Sequence, residues 1–468
     1  MTSPRDEIDD WLDRGVTPLS PPPGSLDRIR RRARLRKRRQ ALFAAAGCAV
    51  VIAAAVSVPQ LISAASGQPR AGATPPVAGS QRPPSVQPSP GQPSPSAPSP
   101  QASGVQLDQH THLSTTTSGT VPPRNFQPTS VTFVGTGAGT VVGAVIGQAG
   151  VPGHCSTADC TSLAGTSDYG ASWYGVSAPV LPGPAGDTGV SQLRFTNLED
   201  GWAFGPALSE TSRGGWPWHR EDTFGQRVID VEAAGPSAVA IFATCSGTGQ
   251  DYASDCTSFA LYGSAAGSRT WTPVTVPAAY QHMSSGQASS AALVISGGTT
   301  GYLLSPAGTL LSGPVSGGSW TAASTAPCKP GSAQASGIPA DAQLAAGPDQ
   351  HLLLSCDSTS GIRLWTSAGG KSWQSAGTVP AKGSPASLAS GASGQVVLAT
   401  TAGIYYSADN GATWKTAKFS GGVPAGGFSY VGMTDATKGV AVPADAQLGE
   451  IYVTGNGGKN WRPSPIYG

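Results

Sequence analysis

Residues Tyr405–Thr416 read YYSADNGATWKT. Ser407, Asp409, Gly411 and Trp414 stand at the first, third, fifth and eighth places of a Ser-x-Asp-x-Gly-x-x-Trp unit. Each residue type has a local task. Ser and Asp oxygens accept bonds from nearby backbone N–H groups and fix a turn. Gly enters left-handed conformations at no steric cost. An indole brings about 150–250 Å² of surface to bury between sheets.

The same unit returns along the chain. TSDYGASW carries Thr166, Asp168, Gly170 and Trp173, and TGNGGKNW carries Thr454, Asn456, Gly458 and Trp461. TSAGGKSW has Ala368 in the acidic place and ends at Trp373, while TSRGGWPW has Arg213 there and ends at Trp218. SAAGSRTW and VSGGSW match loosely and end at Trp271 and Trp320. Successive tryptophans from Trp173 to Trp461 lie 45, 53, 49, 53, 41 and 47 residues apart. A period of 40–50 residues with short strand-like runs marks a propeller blade, and the 3.6-residue apolar rhythm of helical solenoids is absent.

A second landmark keeps step. FTNLEDGWAF (195–204) and MTDATKGVAV (433–442) align residue for residue, and FVGTGAGTVV (133–142), LASGASGQVV (388–397) and LAAGPDQHLL (344–353) fit the same frame. Each predicts strand, tight turn, strand, with the Gly (Gln350 in the last) at positive φ. The Trp-bearing turn then joins the third and fourth strands of the same blade. Blades are expected at 130–183, 190–224, 227–280, 288–325, 340–380, 385–420 and 426–468. The fold class is all-β, a seven-bladed propeller, with six or eight blades also compatible with the spacing. The first blade begins with its own innermost strand, so no exchanged strand is evident to latch the ring.

The repeated unit resembles the Asp-box, the BNR repeat of bacterial sialidases and many unrelated propellers. The resemblance covers 130–468 and implies that the turns sit at the outer rim as scaffold, away from any central cleft. The pairing of DGWAFG (200–205) with a Trp turn is similar to propellers related to the photosystem II assembly factor, which implies a binding module. Sialidases add three arginines gripping a carboxylate, a Tyr/Glu nucleophile pair and an acid Asp. Here the propeller arginines are Arg194, Arg213, Arg220, Arg227, Arg269, Arg363 and Arg462, with none in the first blade. Other glycosidases need two facing carboxylates. Glu199, Asp200, Glu210, Glu221, Asp230, Glu232, Asp435 and Glu450 are present, but no motif singles out a pair.

The remaining chain divides by composition. Residues 1–40 hold eleven Lys/Arg against six Asp/Glu, and the whole chain is +2, so 41–468 carries about −3. A nucleic-acid footprint is not expected. In 1–40, Ile8, Trp11 and Leu12 share one helical face. Residues 41–58 lack any charge and, with the apolar run to Ala65, predict one spanning helix (41–65), its N-terminus held inside by the preceding arginines. Residues 66–129, rich in Pro and Ser, predict a disordered extended linker. His110 and His112 fall in it and are expected to be solvated.

Six cysteines outside the apolar segment suit an oxidising compartment. Nearest-neighbour pairing gives Cys155–Cys160, Cys245–Cys256 and Cys328–Cys356, one of fifteen schemes. No metal-ligand spacing or cofactor motif occurs, so no cofactor is expected. Ala/Gly/Pro/Arg-rich usage resembles an actinobacterial, membrane-anchored type. The expectation is a single-pass cell-membrane protein, monomeric, its propeller extracytoplasmic. It binds an envelope glycan or protein without catalysis. A surface sialidase-like glycoside hydrolase and a sensor signalling through the tail are the alternatives.

Overall fold

Every repeat Trp turn joins the third and fourth strands of an antiparallel blade, and this computed structural model holds seven blades, six of them four-stranded sheets and the last carrying a fifth, parallel strand. They are blades 1 to 7, spanning 126–176, 192–220, 227–274, 292–325, 342–379, 385–416 and 428–465. The structure describes residues 111–116, 121–122, 125–135, 141–149, 160–181, 189–246, 256–281, 291–328, 332–333, 339–340, 342–347, 350–358 and 361–466. The expected tail (1–40), spanning helix (41–65), linker as far as 110, and Cys155 lie outside them.

Strand position within a blade is written in its burial. The first strand of blade 7, Phe428–Met433, is buried at every residue. The third strand of blade 5, Gly361–Ala368, is buried mainly at alternate residues. The fourth strand of blade 4, Thr321–Thr325, contains no buried residue. Inner strands are packed on both faces and so read as continuous apolar or small-residue runs. Seven apolar clusters fill the seams between neighbouring blades, and each contains one of the seven repeat tryptophans. Trp320 and Trp461 are 1% exposed, whereas Trp173, Trp218, Trp373 and Trp414 are half-buried.

Each blade comes from one continuous stretch of chain, so side chains close the ring. Phe126, Val131 and Phe133 of blade 1 pack on Tyr430, Val440, Ile451 and Val453 of blade 7. The Tyr169 hydroxyl donates to the carbonyls of Gly439 (2.8 Å) and Thr454 (3.1 Å), and Trp173 Nε1 donates to Ser464 Oγ (3.1 Å). Outer edges are also covered. Lys418–Phe419 runs parallel to the last strand of blade 7, and Thr275 bridges Ser319 in the same sense. Such edge cover removes a site for stray strand pairing.

Two expectations are corrected. The glycines of the 195–204 and 433–442 hairpins were expected at positive φ, yet Gly201 and Gly439 are not among the residues that adopt it, whereas Gly394 (77°) and Gln350 (56°) are. A Cβ on Gly201 would lie 2.4 Å from the Phe195 ring, and one on Gly439 2.5 Å from Met433 Sδ. Cross-strand packing, not backbone conformation, requires glycine there. Secondly, the first strand starts at Phe126, and 111–116 packs on blades 1 and 2. Leu113 is buried, its N–H donating to Gly214 O (2.8 Å), while His112 Nδ1 contacts Arg213 O.

Trp461→Ala is expected to destabilise the propeller by about 3–5 kcal/mol, as for other buried aromatics cut to Ala. Half-buried Trp218→Ala should cost less. Urea unfolding of both variants checks the order.

Candidate functional site

Antiparallel order gives the wheel two unlike ends. The turns between strands 1 and 2 and between strands 3 and 4 lie at one end. The hairpins between strands 2 and 3 and the connections from one blade to the next lie at the other, the connection end.

At the first end, the oxygens of the repeated turn are already occupied. Thr166 Oγ1 donates to Asp168 Oδ1 (2.8 Å) and accepts from Gly170 N (2.9 Å), and Asp168 Oδ1 accepts from Ala171 N and Ser172 N (both 2.9 Å). Ser407, Asp409, Gly411 and Thr413 repeat this, with Ser407 Oγ to Asp409 Oδ1 at 2.6 Å and Gly411 N to Ser407 Oγ at 2.8 Å. In blade 7, Asn460 N reaches Asn456 Oδ1 (2.9 Å) and Gly458 N reaches Thr454 Oγ1 (3.2 Å). Hydrogen bonds from Ser407 and Thr413 lower the Asp409 carboxyl to about 2. Burial pushes Asp168 upward, but bonds from Ser172, Thr166 and Ala171 outweigh it and leave the carboxyl below its ordinary value. A carboxylate ringed by its own turn's donors has little capacity left for a ligand.

The backbone explains the graded loss of the acid. Two successive residues take positive φ in each of these turns: Tyr169–Gly170, Asn410–Gly411, Gly214–Gly215, Gly369–Gly370 and Gly457–Gly458. Where Asp is present the first of the pair is Tyr or Asn. Where Asp has become Arg, Ala or Asn, it is Gly, which needs no compensation for this conformation.

The connection end carries both disulfides among the described residues. Cys245–Cys256 closes the second hairpin of blade 3, and Cys328–Cys356 ties the blade 4–5 connection to blade 5. It also carries most of the exposed large apolar side chains. Val180, Phe224 and Val423 lie in connecting segments, and Leu448 lies in the second hairpin of blade 7. Among the described residues, Trp216 is exposed at the opposite end, and Val121 lies in the lead-in to blade 1. Phe224, 52% exposed, stacks on Tyr262 with ring centroids 5.2 Å apart and planes 19° apart, so its other face meets solvent.

The inner strands bring together charges that no motif linked. Arg194 of blade 2 lies 2.8 Å from Glu232 Oε1 and 3.9 Å from Asp230 Oδ1 of blade 3, with all three side chains at most 2% exposed. Arg194 also donates to Leu193 O (2.8 Å) and sits 5.5 Å from the Phe204 ring centroid. Tyr430 of blade 7 faces the same group. Burial raises its hydroxyl above the ordinary tyrosine value, Arg194 draws it down and Glu232 pushes it up. The overlooked signal was positional: Arg194, Asp230 and Glu232 occupy first strands, whose counterparts hold small, apolar or uncharged residues. Among the sialidase-type candidates, Arg194 is thus held internally and Arg269 is paired with Glu221. Among the described residues, no group of three His, Cys, Asp or Glu side chains is placed to hold a metal ion.

No family model and no curated protein matches the chain. Solved structures do match. YCF48 bound to D1 peptide shares 15% identity over 60% of this chain and 82% of that one, with TM-score 0.40. An ancestral GH74 enzyme shares 13% over 76% of this chain, with TM-score 0.45, and only 48% of the enzyme's length is spanned. A streptogramin B lyase shares 10% over 69% of this chain and 92% of that one, with TM-score 0.43. The likeness is one of propeller fold.

Arg194→Ala leaves two carboxylates buried without their cation and is expected to cost about 3–5 kcal/mol. Chemical denaturation at neutral pH measures it. A loss below about 1 kcal/mol would show that the two carboxylates rearrange to find other partners or water.

Proposed function

We propose that this chain is a non-catalytic binding module, a propeller that recognises an envelope glycan or protein through its connection end. In this reading the Ser/Thr-x-Asp-x-Gly-x-x-Trp turns are Asp-boxes that build the wheel. Residues 41–65 anchor it in the cell membrane with the basic tail inside, and 66–110 spaces it from the surface.

The observation that carries the proposal is the asymmetry between the ends. Among the described residues, Val180, Phe224, Val423 and Leu448 are exposed at the connection end, against Trp216 at the other. Exposed apolar side chains gathered on one face mark interaction surfaces. The axial carboxylates support the non-catalytic part. Glycoside hydrolysis needs a protonated acid and a free base or nucleophile reachable by substrate. Asp230 and Glu232 are buried and face one arginine.

The full chain in detergent should bind a component of an envelope extract saturably and release no product. Phe224→Ala is expected to weaken binding by about tenfold, equivalent to ~1.4 kcal/mol. Trp216→Ala, at the opposite end, should leave affinity unchanged. Turnover of a fluorogenic sialoside or other glycoside would overturn the non-catalytic reading. Equal losses from both variants would overturn the choice of face.

A further inference from the structure

The seam between blades 2 and 3 differs from the others in what fastens its rim. At the blade 4–5 seam a hydroxyl, Ser324 Oγ, donates to Gly370 O of the next blade's turn (2.6 Å), and at the blade 7–1 seam Ser464 Oγ donates to Gly170 O. At the blade 2–3 seam two carboxylates take this place. Gly267 N, in the blade 3 turn, donates to Glu210 Oε1 (2.9 Å), and Arg269 Nε, from the same turn, donates to Glu221 Oε1 (3.1 Å). Glu210 is 1% exposed and Glu221 is 7% exposed. Glu210 Oε2 is buried and makes no hydrogen bond of normal geometry.

We propose that this seam is a pH-operated latch: the blade 3 turn is held against blade 2 while Glu210 is protonated and is loosened when Glu210 ionises.

The surroundings of Glu210 set the direction. On its own blade it faces Asp200, Trp202 across one strand pair and His219 across the other. From the following connection it faces Glu221. From blade 3 it faces the Gly267 amide, with Arg269 on the same turn. Among the described residues of this group the cation is Arg269, and its carboxylate partner is Glu221. An ionised Glu210 therefore places a further negative charge, out of water, beside Glu221 and Asp200. Burial first, then Glu221, pushes the Glu210 carboxyl up from 4.5 to about 7, and the Gly267 bond only partly opposes this. A raised carboxyl pKa means that the folded state holds the proton more tightly than the unfolded chain does. Its contribution is therefore full below 4.5 and is lost as pH rises to about 7. The hydroxyl-fastened seams have no such dependence.

The test uses hydrogen exchange of residues 264–271 in the full chain from about pH 5 to about pH 8, corrected for intrinsic exchange, alongside thermal melting. Wild type should lose protection in this turn as pH rises from about 5 to about 7 and level off above that, while turns of the hydroxyl-fastened seams keep theirs. Glu210→Gln keeps an acceptor for Gly267 N and cannot ionise, so its profile should be flat. Its melting temperature relative to wild type should rise by a few degrees across the range. Glu221→Gln, which removes the neighbouring negative charge, should move the wild-type midpoint to lower pH. A pH-independent wild type, or a Glu210→Gln profile matching wild type, overturns the latch. Should Glu210→Gln fail to fold, an unmoved midpoint in Glu221→Gln overturns it equally.

Discussion

The wheel depends on an indole placed between two sheets. A four-stranded blade has two apolar faces and cannot bury either alone, so each must be covered by a neighbour. The repeat tryptophan closes the outer part of each seam, and the turn that carries it fixes its position. The partner of its N–H varies around the ring. Trp173 and Trp373 donate to hydroxyls of the preceding blade, Ser464 and Ser324. Trp414 and Trp461 donate to carbonyls of their own turns, Gly411 and Gly458. Trp218 donates across its seam to Ser177 O, and Trp320 donates within its own blade to Pro314 O, so the ring is stapled partly across seams and partly within blades.

That division explains why the turn motif can decay without loss of the fold. The acid's task is to hold two successive positive-φ residues in place. A second glycine does the same by removing the Cβ conflict, as Gly214, Gly369 and Gly457 show. Tyr169 is the informative case. It keeps an unfavourable conformation for a bulky residue, φ 59°, while its hydroxyl crosses to blade 7. The bonds that fix it also close the ring, which is how contiguous blades manage without an exchanged strand.

Much of this was legible in the sequence because it repeats. The tryptophan spacing gave seven blades to within a few residues of their observed strands, and the hairpin frame located the first two strands of five blades. What was not legible lacks a repeat. Glycine at 201 looked like a turn residue in one dimension, but it is needed to make room for the Phe195 ring on the adjacent strand. Arg194 and Glu232 are far apart in sequence and meet only when two inner strands are side by side. Glu210 reads as an ordinary strand residue in LSETS until blade 3 brings the Gly267 amide to it. A single sequence shows local chemistry well and cross-blade chemistry poorly, because the partner comes from another turn of the period.

Charge is distributed around the wheel in a way that bears on function. The buried charged residues among those described are Arg194, Glu210, Glu221, Asp230 and Glu232, and all belong to blades 2 and 3 or the segment joining them. Elsewhere the seams are closed by apolar side chains and hydroxyls. Buried ions are costly to desolvate, and apolar replacements of similar volume commonly do as well for stability. Stability alone therefore does not account for placing five of them at one seam. The same connecting segment presents Phe224, three residues beyond Glu221, with one ring face to solvent. Blades 2 and 3 thus combine the buried charges with the largest exposed aromatic of the connection end. A ligand engaging Phe224 would rest on the one seam whose fastening depends on protonation, whereas Val423 and Leu448 rest on seams without buried charge.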